Sequence, residues 1–181
     1  MGRNKRDWGK YNEQLVMRGE ILLDLNVLKD WRKELDAMNE NKVCQLIEDS
    51  SFAQDLDLTQ CGKLADIAIT EELEDGQILI REGEVDHTLH LVVDGRLAVE
   101  HSAGAGEPMV LHLLKQGDLA GALGFVDGTR HTATLRALGK ATVLSISRDA
   151  LEGLVESNPQ LVYGVMRGII RSVHRILGQM N

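Results

Sequence analysis

The residues best suited to chemistry in this chain lie between Gln116 and Ala133, in the run Gln116-Gly-Asp-Leu-Ala-Gly-Ala-Leu-Gly-Phe-Val-Asp-Gly-Thr-Arg-His-Thr-Ala133. A strand ends in small residues, Gly121, Ala122 and Gly124. A short helical or turn segment follows, and Arg130-His131-Thr132 opens the next strand. Amides freed by glycines at the start of a short helix form an anion cradle, and a basic side chain from the next strand completes a phosphate site. The candidate ligand contacts are Gly121, the amides of Ala122 and Leu123, Arg130 or His131, and Thr132. Plain turn geometry explains the same glycines, so spacing alone leaves both readings open. By strand alternation, Arg130 is expected to point away from the face used by His131 unless a bulge turns it inward.

Other reactive side chains are sparsely placed. His87 and His90 are three residues apart, so a strand would send them to opposite faces, while His101 and His112 have no carboxylate at metal-ligand spacing. All four are expected as surface or rim histidines. Cys44 and Cys61 are the only cysteines and show no zinc spacing, which predicts reduced thiols and no metal. With no Ser/His/Asp or Cys/His arrangement evident, the chain is expected to be no enzyme and to need no cofactor.

The elements that must position the glycine run begin near Asp66. Short stretches rich in Val, Ile, Leu and Thr recur about every ten residues, separated by Asp75-Gly76, Glu82-Gly83-Glu84, Asp94-Gly95, Gly104-Ala-Gly106, Gln116-Gly117-Asp118 and Asp127-Gly128. The predicted strands are 67–73, 77–81, 88–94, 96–101, 109–115, 119–122, 132–138 and 141–147. The fold class is therefore mainly β with flanking helices: an eight-stranded jelly roll, a cupin-like double-stranded β-helix, with N-terminal helices and a long C-terminal helix. Helices are expected over 43–49, 58–65 and 148–156. Asn158 caps the last helix and Pro159 takes its first position, with the helix running over 159–180. Val162, Met166, Ile169, Val173, Ile176 and Met180 form a heptad-like seam on it, which suits a homodimer through this helix, the favoured reading, and is also consistent with simple packing on the roll.

The chain has 181 residues, 18 of them glycine and two proline, with 20 Lys+Arg against 28 Asp+Glu for a formal charge of −8. That balance argues against general attraction to DNA phosphates. Residues 1–42 read as a helical appendage, with Leu25, Leu28, Trp31, Leu35 and Met38 on one stripe, and 43–181 as the main domain. No apolar run spans a bilayer and no secretory signal is present, so a cytoplasmic location with no membrane association is expected.

Specific motifs carry a resemblance. Gly76-Gln-Ile-Leu-Ile-Arg-Glu-Gly83-Glu84, Leu89-His-Leu-Val-Val-Asp-Gly95-Arg-Leu-Ala-Val, Gly117-Asp-Leu-Ala-Gly-Ala-Leu-Gly124, Thr132-Ala133 and Asn158-Pro159 resemble the cyclic-nucleotide-binding domain of catabolite activators and kinase regulatory subunits. The resemblance covers residues 58–177 and implies that Gly121 to Ala133 is the phosphate-binding cassette. It also implies a ligand such as cyclic AMP or cyclic GMP, and a C-terminal helix that responds to it.

Two cassette positions depart from the family pattern. Ala122 stands where relatives place a glutamate for the ribose 2′-hydroxyl, and His131 where they place an arginine for the cyclic phosphate. A hydrogen bond to a charged group contributes about 1.5–3 kcal/mol, so these losses predict weakened or altered specificity. The alternative is a degenerate domain that has lost nucleotide binding and acts as a protein-interaction or dimerisation module. The resemblance implies no direct DNA binding, since no helix-turn-helix follows the last helix, and output through a protein partner. The first ~40 residues are loosely similar to a transposase leader, through Lys5-Arg-Asp-Trp8, Tyr11-Asn12, Leu15-Val16 and Arg18-Gly-Glu-Ile-Leu-Leu-Asp24.

Overall fold

In the computed structural model, residues 42–102 and 108–179 are described, and all of them fall in one unit, Glu40–Asn181. Helix α1 (residues 42–48) leads through a 3₁₀ turn, Ser51–Ala53, to helix α2 (Leu58–Ile67). A capping box starts α2: the Asp57 carboxylate accepts from the Gln60 N–H at 2.9 Å, and the Gln60 side chain accepts from the Asp57 N–H at 3.0 Å.

Eight strands follow: β1 (Ile69–Leu73), β2 (Ile78–Ile80), β3 (Thr88–Asp94), β4 (Arg96–His101), β5 (Met109–Lys115), β6 (Leu119–Ala120), β7 (Thr134–Ala137) and β8 (Ala141–Ser147). They form two four-stranded antiparallel sheets, ordered β1-β8-β3-β6 and β2-β7-β4-β5. Helix α3 (Ala122–Asp127) interrupts the roll between β6 and β7. Helices α4 (Arg148–Glu152) and α5 (Pro159–Gln179) follow β8.

The strand pleat sorts side chains into two cores. On β3, Leu89, Leu91 and Val93 pack toward the helices with Phe52, Leu64, Leu161, Val165 and Ile169, while Val92 faces the roll interior with Leu97, Leu114, Leu135 and Val143. This explains why β3 is an almost unbroken apolar run although the sheet is antiparallel: both faces are covered. Each fully buried Leu, Val or Phe contributes about 1.5–3 kcal/mol of transfer free energy.

Helix α5 docks through small residues. A Cβ at Gly168 would press on the Phe52 carbonyl oxygen and lie 2.7 Å from the Phe52 ring, and one at Gly164 would lie 2.5 Å from a Leu56 methyl. Arg171 donates to the Ser51 carbonyl at 3.2 Å and pairs with Asp55, and Arg175 bonds the Ser51 hydroxyl at 2.9 Å and Asp118 at 2.7 Å.

The structure corrects several expectations. The most buried stripe of α5 is Leu161, Val165, Ile169 and Ser172 with the two glycines, whereas Val162, Met166, Val173 and Ile176 of the expected seam are half-buried beside it. Arg171 and Arg175 sit off that seam yet hold the helix down. The Asn158 side chain does not cap α5, because its carbonyl accepts instead from the Lys63 ammonium, a charge-assisted bond stronger than a cap to a neutral amide. Strand β7 begins at Thr134 rather than 132, β6 stops at Ala120, and α4 ends at Glu152. Met180 and the stripe over Leu25 to Met38 lie outside the described residues.

Candidate functional site

One end of the roll opens into a cavity of about 340 Å³. Ile80, Val99, Leu114, Leu119 and Leu135 form its apolar wall, and Val173 and Ile176 of α5 lie across it. Gly121, Ala122, Leu123, Arg130, His131 and Thr132, the six candidate contacts, all line it, so the fold brings the sequence-selected set together.

Each has a local reason for its place. Gly121 adopts φ +74°, and a Cβ there would lie 2.7 Å from the Thr88 carbonyl oxygen, so only glycine lets the chain turn from β6 into α3 this close to β3. The first intrahelical bond of α3 runs from Phe125 N–H to Gly121 O at 2.9 Å. Ala122 and Leu123 therefore occupy the first turn, whose N–H groups have no intrahelical acceptor. Arg130 reaches the cavity because residues 128–133 are not in a strand, so the alternation expected for it does not operate. Its guanidinium donates to the Gly83 carbonyl at 2.8 Å and keeps other N–H groups free to turn toward a ligand.

His131 is placed differently. Only 8% exposed, its ring lies beneath α3, and a Cβ at Gly124 would meet Cε1 at 2.8 Å. Its Nε2 is buried without a hydrogen-bond partner among the described residues. The backbone around it is pinned by reciprocal bonds, Gly83 N–H to His131 O at 2.8 Å and His131 N–H to Glu84 O at 2.9 Å.

Two supports of the cassette were not visible in the sequence. Arg148, just after β8, donates from Nε to the Phe125 carbonyl at 2.7 Å and from Nη2 to the Gly124 carbonyl at 2.9 Å, satisfying carbonyls at the end of α3. Asp127 accepts from the Thr129 N–H at 2.9 Å and hydroxyl at 2.7 Å, and these bonds hold its carboxyl below the usual range. No spacing rule links Arg148 to a carbonyl 23 residues away, whereas Asp127-Gly128-Thr129 is a legible Asx-type turn.

The expectation of rim histidines fails for His90, which is 3% exposed on the inner face of β3. Its Nδ1 lies 2.8 Å from Ser145 Oγ, its Nε2 lies 3.5 Å from Asp86 Oδ2, and Ser145 donates to Glu71. Ser145, His90 and Asp86 thus lie together, but Ser145 donates to Glu71 rather than to the ring, and the cluster is buried and does not line the cavity. Burial lowers the His90 pKa, with Asp86 opposing. Burial likewise pushes the Cys61 thiol up to about 11, leaving it a poor nucleophile. Among the described residues no group of three or more His, Cys, Asp or Glu could hold a metal, and no helix is long and apolar enough to cross a membrane.

Comparison with known proteins decides the family. Residues 70–158 match the Cyclic nucleotide-binding domain profile. The chain carries a domain of the cyclic nucleotide-binding family. The cAMP-activated global transcriptional regulator CRP of Salmonella typhimurium is 36% identical over 85 residues, 46% of this chain and 40% of that protein. The chain thus spans well under half the length of that relative.

The same domain fold appears in solved structures. A cyclic nucleotide-binding domain from Methylobacillus flagellatus superposes with a TM-score of 0.69 at 17% identity, covering 78% of this chain and 79% of that one. The regulatory subunit of a cAMP-independent protein kinase A from Trypanosoma brucei gives 0.62 at 22% identity, covering 72% and 47%. Within this cyclic nucleotide-binding domain, α3 lies in the stretch from Gly121 to Ala133, between β6 and β7, with the C-terminal helix α5 beyond the last strand.

Proposed function

We propose that this chain is a non-enzymatic, cytoplasmic regulatory protein whose domain binds a cyclic nucleotide or a similar small phosphate-bearing ligand in the cavity beneath α3. The observation that carries the reading is the convergence of Gly121, the first-turn residues Ala122 and Leu123, Arg130 and Thr132 on one cavity with an apolar wall. In this arrangement the phosphate faces Arg130 and Thr132, and the base lies against Leu114, Leu135, Val173 and Ile176. His131 supports α3 from behind. Ala122 offers no acceptor for a ribose hydroxyl, so the ligand choice is altered relative to the family pattern. Output passes to a protein partner, and α5, with Tyr163 and Ile170 exposed, is the proposed homodimer face.

Thermal unfolding with cyclic AMP and cyclic GMP tests the reading. A ligand at 100 times its Kd stabilises the folded state by about 2.7 kcal/mol. A stabilisation that grows with the logarithm of nucleotide concentration supports binding, and no shift at millimolar concentration of either nucleotide refutes it. The second reading, a degenerate interaction module, is favoured by the bond that already engages Arg130 with the Gly83 carbonyl. Under it neither nucleotide stabilises the domain, while concentration-dependent self-association or partner binding persists.

A further inference from the structure

The His90 cluster has a defined proton inventory. Ser145 has one hydroxyl proton and donates it to Glu71, whose carboxylate has none to give. The 2.8 Å contact between Ser145 Oγ and His90 Nδ1 must then be an N–H donation from the ring. Neutral His90 accordingly holds its hydrogen on Nδ1, and its Nε2 carries a bare lone pair. That nitrogen is buried, has no hydrogen-bond partner among the described residues, and faces Asp86 Oδ2 at 3.5 Å, lone pair toward carboxylate.

Asp86 lies in the segment joining β2 to β3, residues 81–87. The same segment holds the exit of the cassette through the paired backbone bonds of Gly83 and Glu84 with His131, and through the Arg130 guanidinium on the Gly83 carbonyl. A cassette glycine also contacts the ring, since a Cβ at Gly121 would lie 3.6 Å from His90 Cδ2.

We propose that His90 is a proton-operated latch: a proton taken from solvent at Nε2 converts the unbonded contact with Asp86 into a charge-assisted hydrogen bond that draws segment 81–87, and with it Arg130 and the cassette exit, against the β1-β8-β3-β6 sheet. The Nε2–H bond forms as an O–H bond of a solvent hydronium breaks, leaving water behind and one added positive charge on the ring. Protonated His90 then donates from Nδ1 to Ser145 and from Nε2 to Asp86, linking Glu71 on β1, Ser145 on β8, His90 on β3 and the segment. The titratable groups facing the ring are Asp86 from the segment, Glu71 beyond Ser145, and His131 from the cassette exit. Burial depresses the His90 pKa most, Asp86 and Glu71 act in the opposite direction, and His131 adds to the depression. The latch therefore engages on the acid side of the ordinary imidazole range, and it is independent of which ligand the cavity takes.

Histidine-labelled and amide NMR of the full chain, titrated from pH 7.5 down to 5 without ligand, tests this. The expected result is an Nδ1–H tautomer for His90 at pH 7.5, and acid shifts of the Gly83, Glu84 and His131 amides that share the His90 midpoint. In Asp86→Ala the His90 midpoint falls by about one pH unit and the three amide shifts collapse. An Nε2–H tautomer at pH 7.5 overturns the proposal. So do amides that ignore the His90 titration, or amide shifts that survive in Asp86→Ala; the wild-type spectra alone can refute it. Because no nucleotide is added, the outcome is separate from the fate of the ligand assignment.

Discussion

Replacing Gly168 by alanine sets two effects of opposite sign against each other. In an open helix interior, Gly→Ala stabilises by about 1 kcal/mol, because the alanine backbone has less freedom to lose on folding. At Gly168 the new methyl would collide with the Phe52 carbonyl oxygen and sit 2.7 Å from Cδ2 of its ring. The carbonyl belongs to the 3₁₀ turn, and Phe52 is only 1% exposed, so neither can step aside cheaply. Overpacking of this kind costs about 1–3 kcal/mol, and near its upper end here because backbone is struck.

The net expectation is a loss of about 1–2 kcal/mol, or roughly 3–7 °C in Tm for a unit spanning Glu40–Asn181. Gly62 in α2 is the control, since a Cβ there meets nothing within 4 Å. Gly62→Ala should raise stability by about 0.5–1 kcal/mol. Urea and thermal unfolding followed by far-UV circular dichroism read both variants. A Gly168→Ala protein as stable as the parent would refute the account of how α5 docks. A loss in Gly62→Ala equal to that in Gly168→Ala would show that the contacts at Gly168 are irrelevant.

Four further outcomes are expected. Arg130→Ala should abolish the cyclic-AMP-induced rise in Tm, since one charged hydrogen bond is worth about 10–100-fold in affinity, and an undiminished rise would remove Arg130 from the site. Ala122→Glu, placed in the first turn of α3, should tighten cyclic AMP by roughly tenfold while leaving 2′-deoxy cyclic AMP unchanged, with calorimetry as the readout. Asp118→Ala removes the acceptor shared by the Lys115 N–H and Arg175, and unfolding should record a loss of about 1–2 kcal/mol. The His90 pKa is depressed in the folded state, so the unfolded chain takes up the proton first, below about pH 6.5; stability from this group is complete above that value and declines as pH falls toward the folded one. Unfolding midpoints measured from pH 7.5 to 5 should show that decline, and it should flatten in His90→Gln.

The strands with alternating or continuous apolar character and Asp-Gly boundaries were legible from sequence: β3, β4, β5 and β8 have the bounds expected. Their turn glycines need positive φ, a local property that residue type reports directly. The six residues chosen from sequence line one cavity, but their orientation was not legible. Arg130 and His131 exchange the roles that alternation suggests, because reciprocal bonds to Gly83 and Glu84 hold residues 128–133 out of the ladder. The α5 seam was misplaced for a related reason. Hydropathy counts Val162 and Met166 but not Gly164 and Gly168, and close approach to Phe52 depends on what those two glycines lack. His90 was read as a rim histidine because its partners, Ser145 and Asp86, come from a neighbouring strand and a loop that no spacing rule connects.

Strand β6 is only two residues long and pairs with β3 at two positions, His90 with Ala120 and Leu91 with Leu119. The entry to α3 therefore hangs from a ladder of two pairs, extended by the Val92 N–H to Asp118 O and Gly117 N–H to Val92 O bonds, while its exit is fastened by backbone bonds to the β2–β3 segment. Unfastening those two pairs and the two adjoining bonds to Val92 would free the entry without unzipping the β1-β8-β3 ladders or the β2-β7-β4-β5 sheet, so opening of the cavity and unfolding of the roll are separate events with separate free energies. A change that loosens β6 can alter how readily a ligand enters while leaving the melting temperature of the domain almost where it was.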